Sequence, residues 1–176
     1  MNWQQLLIDG LSRVHDSMER TLDGLTQQEL DKQLKPDANS IGWLCWHVIR
    51  GQDKSIVYLS GKGEQLWIRD KWHAKFFRPA DPKDTGFKHT PEQVAAFKSP
   101  DTKTFIGYHR AVLEITKDYV NSLTEADLDR KLDEPWFTPT PTVGVRMISR
   151  LEEGLLHIGQ AAYIRGLIQG KGWQPI

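Results

Sequence analysis

One sequence pattern occurs twice, once in each half of the chain, and it constrains the fold more than any other feature. Residues 25–34 read LTQQELDKQL and residues 123–132 read LTEADLDRKL. Thr26 and Glu29 have the spacing of a capping box, which starts a short helix. Each copy follows a long segment with apolar residues at helical spacing. Because there are only two copies, with a long period, we interpret the pattern as an internal duplication and not as a solenoid.

Four long segments have the length and periodicity of helices. They are Trp3–Leu22 after the cap Asn2, Ile41–Ser60 after Ser40, a segment from Asp101 or Thr102 to about Ser122, and a segment that enters at Thr142 and contains Leu151–Gln169. The entry Thr142-Val143-Gly144 resembles Ser40-Ile41-Gly42, as the duplication requires. The sequence therefore predicts an all-α four-helix bundle that forms a single domain over residues 1–176.

A long aromatic-rich insertion, about residues 62–100, separates the second and third long helices. It contains one segment that predicts a short helix, Pro91–Phe97, and several large aromatic residues: Trp67, Trp72, Phe76, Phe77 and Phe87. A long connection of this kind in a compact domain is usually functional or disordered. Its aromatic content argues against disorder. We expect an ordered flap that packs over one end of the bundle.

Composition and charge exclude several classes of partner. The chain has 23 Lys and Arg against 23 Asp and Glu, and no basic block, which argues against binding to nucleic acid or to an anionic membrane surface. No apolar run is long enough to span a membrane, and the N-terminus lacks the features of a signal peptide. Cys45 is the single cysteine, so no internal disulfide is possible. We expect a soluble cytoplasmic protein.

His47, Glu153 and His157 form a candidate metal site. Glu153 and His157 lie one turn apart on one face of the fourth long helix. Aligning the two halves at Ser40 and Thr142 places His47 at a comparable height on the second long helix. Two imidazoles and one carboxylate suit zinc, nickel, iron or manganese, and they leave coordination positions open for water or substrate.

Structural roles for the same residues remain open from the sequence alone. A histidine on a mostly apolar helix is commonly a core residue, and Glu153 has Arg146 and Arg150 nearby as ion-pair partners. Gly51, one turn after His47, leaves either room for a ligand or a close helix contact. Gln160 has the position of a hydrogen-bond partner for a metal ligand. The remaining histidines have no partner at metal-binding spacing: His15, His73, His89 and His109.

The fourth long helix has a second apolar stripe on the side away from Glu153. Its members are Ile148, Leu151, Leu155, Ile158 and Ala162. A helix with two apolar sides has to be covered on both of them. Either the insertion or a second copy of the chain can do this, and we expect a homodimer.

Three segments resemble the DinB-like superfamily of bacterial four-helix bundles: NSIGWLCWHVIRGQD at 39–53, QLWIRDKWHAKF at 65–76 and LLHIGQAAYIRGLIQG at 155–170. The resemblance extends from Leu22 to Gly170. It implies an up-down-down-up bundle and a metal held by one His of the second long helix and an HxxxH pair of the fourth. His47 and His157 match this pattern, whereas Glu153 stands in place of the first His of the pair.

The same superfamily includes mycothiol-dependent maleylpyruvate isomerase and thiol S-transferases. The resemblance therefore implies a divalent metal, zinc or nickel with iron or manganese as alternatives, and a metal-dependent thiol S-transferase or hydrolase. The substrate would be a small electrophile, bound with a low-molecular-weight thiol between the tryptophans of the insertion and the second and fourth long helices. The alternative is a non-catalytic stress protein that binds a metal or a small ligand at a degraded site. No catalytic residue and no organic cofactor is predicted.

Overall fold

A computed structural model describes residues 1–173 of the chain, and this part is helical, without strands. Its α-helices are α1 (Trp3–Leu22), α2 (Gln27–Asp31), α3 (Ile41–Ser60), α4 (Leu66–Arg69), α5 (Trp72–Lys75), α6 (Pro91–Ala95), α7 (Thr102–Ser122), α8 (Glu125–Leu128) and α9 (Val143–Gln169). A short 3-10 helix, Lys171–Trp173, follows α9. The predicted all-α class is confirmed. None of the helices between residues 1 and 173 is long and apolar enough to cross a membrane.

The four long helices α1, α3, α7 and α9 pack against one another around a common apolar core. Helix α9 contacts both α1 and α3, and α7 contacts the same two helices from the other side. Helices α3 and α9 run antiparallel, because Gly51 faces Arg150 whereas His47, one turn earlier, contacts His157. Helix α1 runs parallel to α9, and α7 runs parallel to α3. This arrangement places the side chains of the candidate site at the contact between α3 and α9.

Helix caps fix the starts of the elements at the residues that the sequence indicates. The two copies of the Leu-Thr pattern become α2 and α8, each with a capping box, Thr26 with Glu29 and Thr124 with Asp127. Asp101 accepts a hydrogen bond from the backbone N–H of Thr104, so α7 begins at Thr102. These side chains satisfy backbone N–H groups that have no partner within the helix.

The insertion is ordered and contains three short helices, α4, α5 and α6, where the sequence predicts one. The predicted helix Pro91–Phe97 is present as α6, which ends at Ala95. Most of the large apolar side chains of the insertion are buried in the main core, including Trp67, Phe76, Val94 and Phe97. The insertion therefore completes the hydrophobic core of the bundle and also supplies part of the candidate site.

Two buried charged residues of α3, Arg50 and Asp53, hold the insertion in place. Neither residue is exposed to solvent. The guanidinium of Arg50 donates hydrogen bonds to oxygen atoms of the insertion: Gln65 Oε1, Pro82 O and Asp84 O. The carboxylate of Asp53 accepts from the backbone N–H groups of Leu66 and Trp67 and from the hydroxyl of Tyr108. The buried charges are thus paired and hydrogen-bonded, as buried charges must be.

Candidate metal centre

The structure brings together the three side chains that the sequence predicts as metal ligands. His47 of α3 and both Glu153 and His157 of α9 each offer one ligand atom, and these atoms lie within 4.8 Å of one another. Nε2 of His47 lies 3.1 Å from Oε1 of Glu153. The imidazole rings of His47 and His157 meet edge to face, with their centroids 5.1 Å apart.

A hydrogen bond to Nδ1 of His47 determines the tautomer of the ring and hence the protonation of Nε2, the nitrogen that faces Glu153. Nδ1 of His47 lies within hydrogen-bonding distance of the carbonyl oxygen of Thr85. A carbonyl oxygen only accepts, so Nδ1 carries the proton and Nε2 has the free lone pair in the neutral ring. That lone pair faces a carboxylate oxygen. A proton or a cation between the two atoms is needed to make this contact favourable.

The His157 ring is oriented by the neighbouring turn of α9. Its Nδ1 lies 2.9 Å from Oε1 of Gln160, so Nδ1 donates to the amide oxygen and Nε2 is left free. This is the contact that the sequence suggests for Gln160. Metal-binding histidines commonly donate their second N–H to a carbonyl or carboxylate oxygen in this way, and the contact fixes the tautomer. The donor set of the site therefore fits a divalent metal.

The insertion holds the His47 ring directly through Thr85 and indirectly through Trp43 of α3. The indole of Trp43 stacks on the ring with an interplanar angle of 7° and a centroid distance of 5.0 Å. Trp43 Nε1 donates to Nδ1 of His89 at 3.2 Å, and His89 Nε2 donates to Asp84 Oδ1 at 3.0 Å. Asp84 directly precedes Thr85, the residue whose carbonyl contacts His47. Sequence spacing gave no role to His89, because its partners are brought close only by the folded insertion.

Glu153 uses its two carboxylate oxygens for two different partners. Oε1 faces His47, and Oε2 forms an ion pair with the guanidinium of Arg150. Burial by itself raises the pKa of Glu153, but the contact with the His47 imidazole, when a proton lies between the two groups, and the positive charge of Arg150 outweigh it and lower the pKa. The carboxyl group is therefore ionised at neutral pH. The ion pair suggested by the sequence exists with Arg150, whereas Arg146 pairs with Glu134.

The space beside Gly51 is filled by a side chain of α9. A Cβ atom built on Gly51 would lie 2.9 Å from Nη1 of Arg150 and 3.7 Å from Oε2 of Glu153. Of the two interpretations of Gly51 left open by the sequence, the close helix contact is therefore the one observed. The glycine allows the Arg150 guanidinium to lie directly against α3.

A cleft of about 380 Å³ extends outward from His47 and Glu153. Its aromatic lining comes from four side chains: Tyr58, Phe87, Trp136 and Phe137. The expectation that the tryptophans of the insertion line this cleft is wrong, because Trp67 is fully buried in the core and Trp72 stacks on Tyr108. Trp136 and Phe137 belong to the Pro-rich loop before α9, a position at which the sequence gave no sign of a binding site.

Comparisons with known proteins identify one family and one similar solved structure. The family model of the DinB superfamily matches residues 11–161. A crystal structure described as a conserved protein from Enterococcus faecalis has a TM-score of 0.88 and 32% sequence identity to this chain. The alignment covers 97% of this chain and 99% of that chain. No curated protein matches the sequence.

Proposed function

The chain belongs to the DinB superfamily, and we propose that it binds one divalent transition metal through His47, Glu153 and His157. The observation that carries this proposal is the contact between Nε2 of His47 and Oε1 of Glu153 at 3.1 Å. With the Nδ1 proton engaged by Thr85, two acceptor atoms face each other in the neutral state. A cation between them converts this repulsion into coordination.

Zinc or nickel is the proposed metal, with iron or manganese as alternatives. Two imidazole nitrogens suit zinc and nickel, whereas a carboxylate oxygen also suits manganese. Glu153 stands where the HxxxH pattern of the superfamily has its first histidine. A ligand set with one carboxylate oxygen is harder, in the hard and soft acid–base sense, than a set of three imidazole nitrogens. This predicts a wider range of accepted metals than a site with three imidazoles has.

The proposed activity is transfer of a low-molecular-weight thiol to a small electrophile, or hydrolysis of that electrophile. When bound, a divalent cation supplies Lewis acidity, which lowers the pKa of a coordinated thiol or water toward neutrality. Thr85 and Gln160 hold the two imidazoles in the required tautomers. The aromatic side chains of the cleft provide an apolar surface for the electrophile next to His47.

A second candidate function is a non-catalytic protein that binds a metal or a small ligand. The observation that favours it is the ion pair between Arg150 and Glu153. This cation lies directly beside the proposed ligand set and reduces the charge that Glu153 can offer to a metal. In such a protein the site would retain ligand binding without turnover.

Metal analysis tests the proposed site. Purified protein and protein reconstituted with zinc, nickel, iron or manganese are analysed for bound metal, together with His47→Ala, Glu153→Ala and His157→Ala. The expected result is about one metal per chain in the wild type and loss of this metal in each variant. His73→Ala serves as the matched control, because His73 lies on α5 outside the site. Absence of stoichiometric metal from both purified and reconstituted wild-type protein would contradict the proposal.

A screen of thiols against electrophiles separates the two candidate functions once metal binding is established. Turnover that needs the metal and is lost in Glu153→Ala supports the enzyme. Stoichiometric metal without turnover of any thiol and electrophile pair supports the binding protein.

Cytoplasmic location stays a prediction, based on the single cysteine, Cys45, which is buried and unpaired.

We propose that the chain forms a homodimer through the outer surface of α9. Leu151 and Ile158 of the predicted second apolar stripe pack within the chain, but Ile148 and Leu155 are 60% and 53% exposed. The insertion therefore does not cover this stripe. Leu155 also lines a groove of about 570 Å³ between α1 and α9 whose lining contains no His, Cys, Asp or Glu.

Light scattering during size-exclusion chromatography tests the dimer. The expected mass is that of two chains for the wild type and of one chain for the double variant Ile148→Glu with Leu155→Glu. Phe77→Glu, at an exposed apolar position on the insertion, is the control and should leave the mass unchanged. A monomeric wild type at high protein concentration would contradict the proposal.

A further inference from the structure

Arg150 is a largely buried cation that lines the cleft beside His47 and Glu153. Its side chain is 20% exposed, and its charged contact is the ion pair with Glu153. Within residues 1–173 its Nε is buried without an acceptor, whereas Nη1 contacts Oε2 of Glu153. A guanidinium has five N–H donors, and leaving buried donors unsatisfied is unfavourable. Because Arg150 also lines the cleft, the accessible N–H groups of its guanidinium can donate to acceptor atoms of a ligand there.

The fold makes specific room for this guanidinium. Any side chain larger than hydrogen at position 51 would make a close contact with Nη1 of Arg150, since a Cβ there would lie 2.9 Å from it. Gly51 therefore lets Arg150 cross from α9 to α3 along the wall of the cleft. The guanidinium lies next to His47 and Glu153, which line the same cleft.

A second cation, Lys54, lines the same cleft one turn after Gly51. It is exposed and forms no ion pair with any residue in the range 1–173. The third cation of the cleft is already engaged, because Arg146 donates two hydrogen bonds from Nε to Glu134, at 3.1 and 2.9 Å. In the described part of the chain, Arg150 pairs with Glu153, and the cleft lining contains three cations against the two carboxylates Glu134 and Glu153. The charge available to a ligand in this cleft is therefore positive.

The outer part of the cleft is apolar and accessible. Trp136 is 72% exposed and Phe87 is 75% exposed, although both line the cleft. Arg146 holds this wall in place, since its guanidinium lies 4.7 Å from the centroid of the Phe137 ring. The cleft thus combines exposed aromatic rings with the cationic side chains of Arg150 and Lys54. This combination suits a ligand in which a planar apolar group carries an anionic group.

We propose that this cleft binds a small molecule that combines an oxyanion with a planar apolar group. Arg150 and Lys54 bind the oxyanion, a carboxylate or a phosphonate, through charge-assisted hydrogen bonds. The aromatic side chains of the cleft contact the apolar group. The inference deepens the proposed function by naming the substrate class, and it rests on that function insofar as the ligand lies beside the proposed metal ligands.

Fluorine NMR titration tests the subsite with three probes. They are 4-fluorobenzoate, which has both features, 4-fluorobenzyl alcohol, which lacks the charge, and trifluoroacetate, which lacks the ring. 4-Fluorophenylphosphonate replaces the benzoate to compare the two oxyanions. The titrations use metal-free protein, so that no probe is bound through a metal, and they are repeated with metal-loaded protein.

The expected result is that 4-fluorobenzoate or 4-fluorophenylphosphonate binds at least about tenfold more tightly than either incomplete probe. Arg150→Gln should weaken this binding about tenfold, and Arg150→Lys should weaken it less because the charge is kept. Gly51→Ala should weaken it less than Arg150→Gln, since its Cβ would shift the guanidinium while the charge is kept. Arg110→Gln is the control, because Arg110 is exposed on α7 outside the cleft. Circular dichroism checks that each variant is folded.

Equal binding of the charged and neutral aromatic probes would overturn the subsite, as would unchanged binding in folded Arg150→Gln protein. The test also separates this inference from the proposed function. Arg150-dependent binding in a protein that takes up no metal supports the subsite and contradicts the metal site. Stoichiometric metal without Arg150-dependent binding of the anions supports the metal site and contradicts the subsite.

Discussion

Nε2 of His47 lies 3.1 Å from Oε1 of Glu153, although the two residues are 106 positions apart in the chain. One residue comes from the second long helix of the first half and the other from the second long helix of the second half. In the internal duplication that the sequence predicts, the contact joins equivalent helices. It is also the contact that most directly indicates a cation, because the Nδ1 proton of His47 is held by the carbonyl of Thr85.

Replacing Gln160 tests how the His157 ring is held. Gln160→Ala removes the acceptor for Nδ1 of His157, so the ring loses its fixed tautomer and orientation. We expect the affinity for the bound metal to fall about tenfold, as measured by competition with a chromogenic chelator. Gln4→Ala, which removes a hydrogen bond to the carbonyl of Leu123 away from the site, is the control. Equal affinities of the two variants would show that Gln160 does not position the ligand.

Neutralising Arg150 should strengthen metal binding. Arg150→Gln removes a positive charge that competes for Glu153, and a separation of a few ångströms makes this competition worth roughly 1 kcal/mol or more. We expect the metal affinity to rise about tenfold, with a smaller gain at high salt. Arg150→Lys keeps the charge and should change the affinity less.

The same Arg150→Gln variant is expected to lose binding of anionic aromatic probes. Opposite changes in metal affinity and anion affinity distinguish these specific effects from general damage to the site. A variant that binds both the metal and the anion less tightly than the wild type would contradict the assignment of Arg150 as a competitor for Glu153.

Removal of the buried carboxylate of Asp53 should strongly destabilise the fold. Asp53→Ala leaves the N–H groups of Leu66 and Trp67 without their acceptor and leaves Arg50 without its buried counter-ion. We expect the free energy of unfolding to fall by about 3–5 kcal/mol in urea titrations. Tyr108→Phe removes only one hydroxyl from the same cluster, and its effect should be about 1 kcal/mol. Equal losses in the two variants would show that the carboxylate has no special role.

His109 should make the fold sensitive to acid. Burial, together with the charge of the adjacent His15, lowers the pKa of His109 from its ordinary value of 6.5 to about 3. The folded state therefore disfavours the protonated ring. The unfolded chain takes up the proton as the pH falls through 6.5, so stability is kept above this pH and is lost progressively toward pH 3.

Denaturant unfolding at pH 7 and pH 5 measures this effect. His109→Gln should reduce the difference in unfolding free energy between the two pH values by about 2 kcal/mol, whatever its effect at pH 7. His73→Gln, at a partly exposed position on α5, is the control. An unchanged difference in the His109 variant would contradict the assignment.

Local sequence signals were enough to predict the long helices. Periodicity and capping residues predicted α1 as Trp3–Leu22 and α3 as Ile41–Ser60, which are the bounds observed. The short helices α4 and α5 were missed because their stability comes from distant residues. The carboxylate of Asp53 binds the first backbone N–H groups of α4, and sequence spacing does not show this contact.

The candidate ligands were predictable because they lie on faces of regular helices in a duplicated frame. Their surroundings were not. Trp67 was expected at the cleft but lies in the core. Its position depends on the path of the insertion, which the sequence pattern does not show. The buried pair of His15 and His109, whose Nδ1 atoms are 3.3 Å apart, depends on the register between α1 and α7. Arg150 could not be placed either, since its position depends on Gly51 of another helix.

Anomalous diffraction from metal-loaded crystals tests the central claim most directly. An anomalous difference map at the absorption edge of the metal should show one strong peak, bonded to Nε2 of His47, Nε2 of His157 and one carboxylate oxygen of Glu153 at about 2.0–2.2 Å. A metal-loaded crystal with its peak elsewhere, or with His47 still in direct contact with Glu153 and no peak between them, would contradict the account.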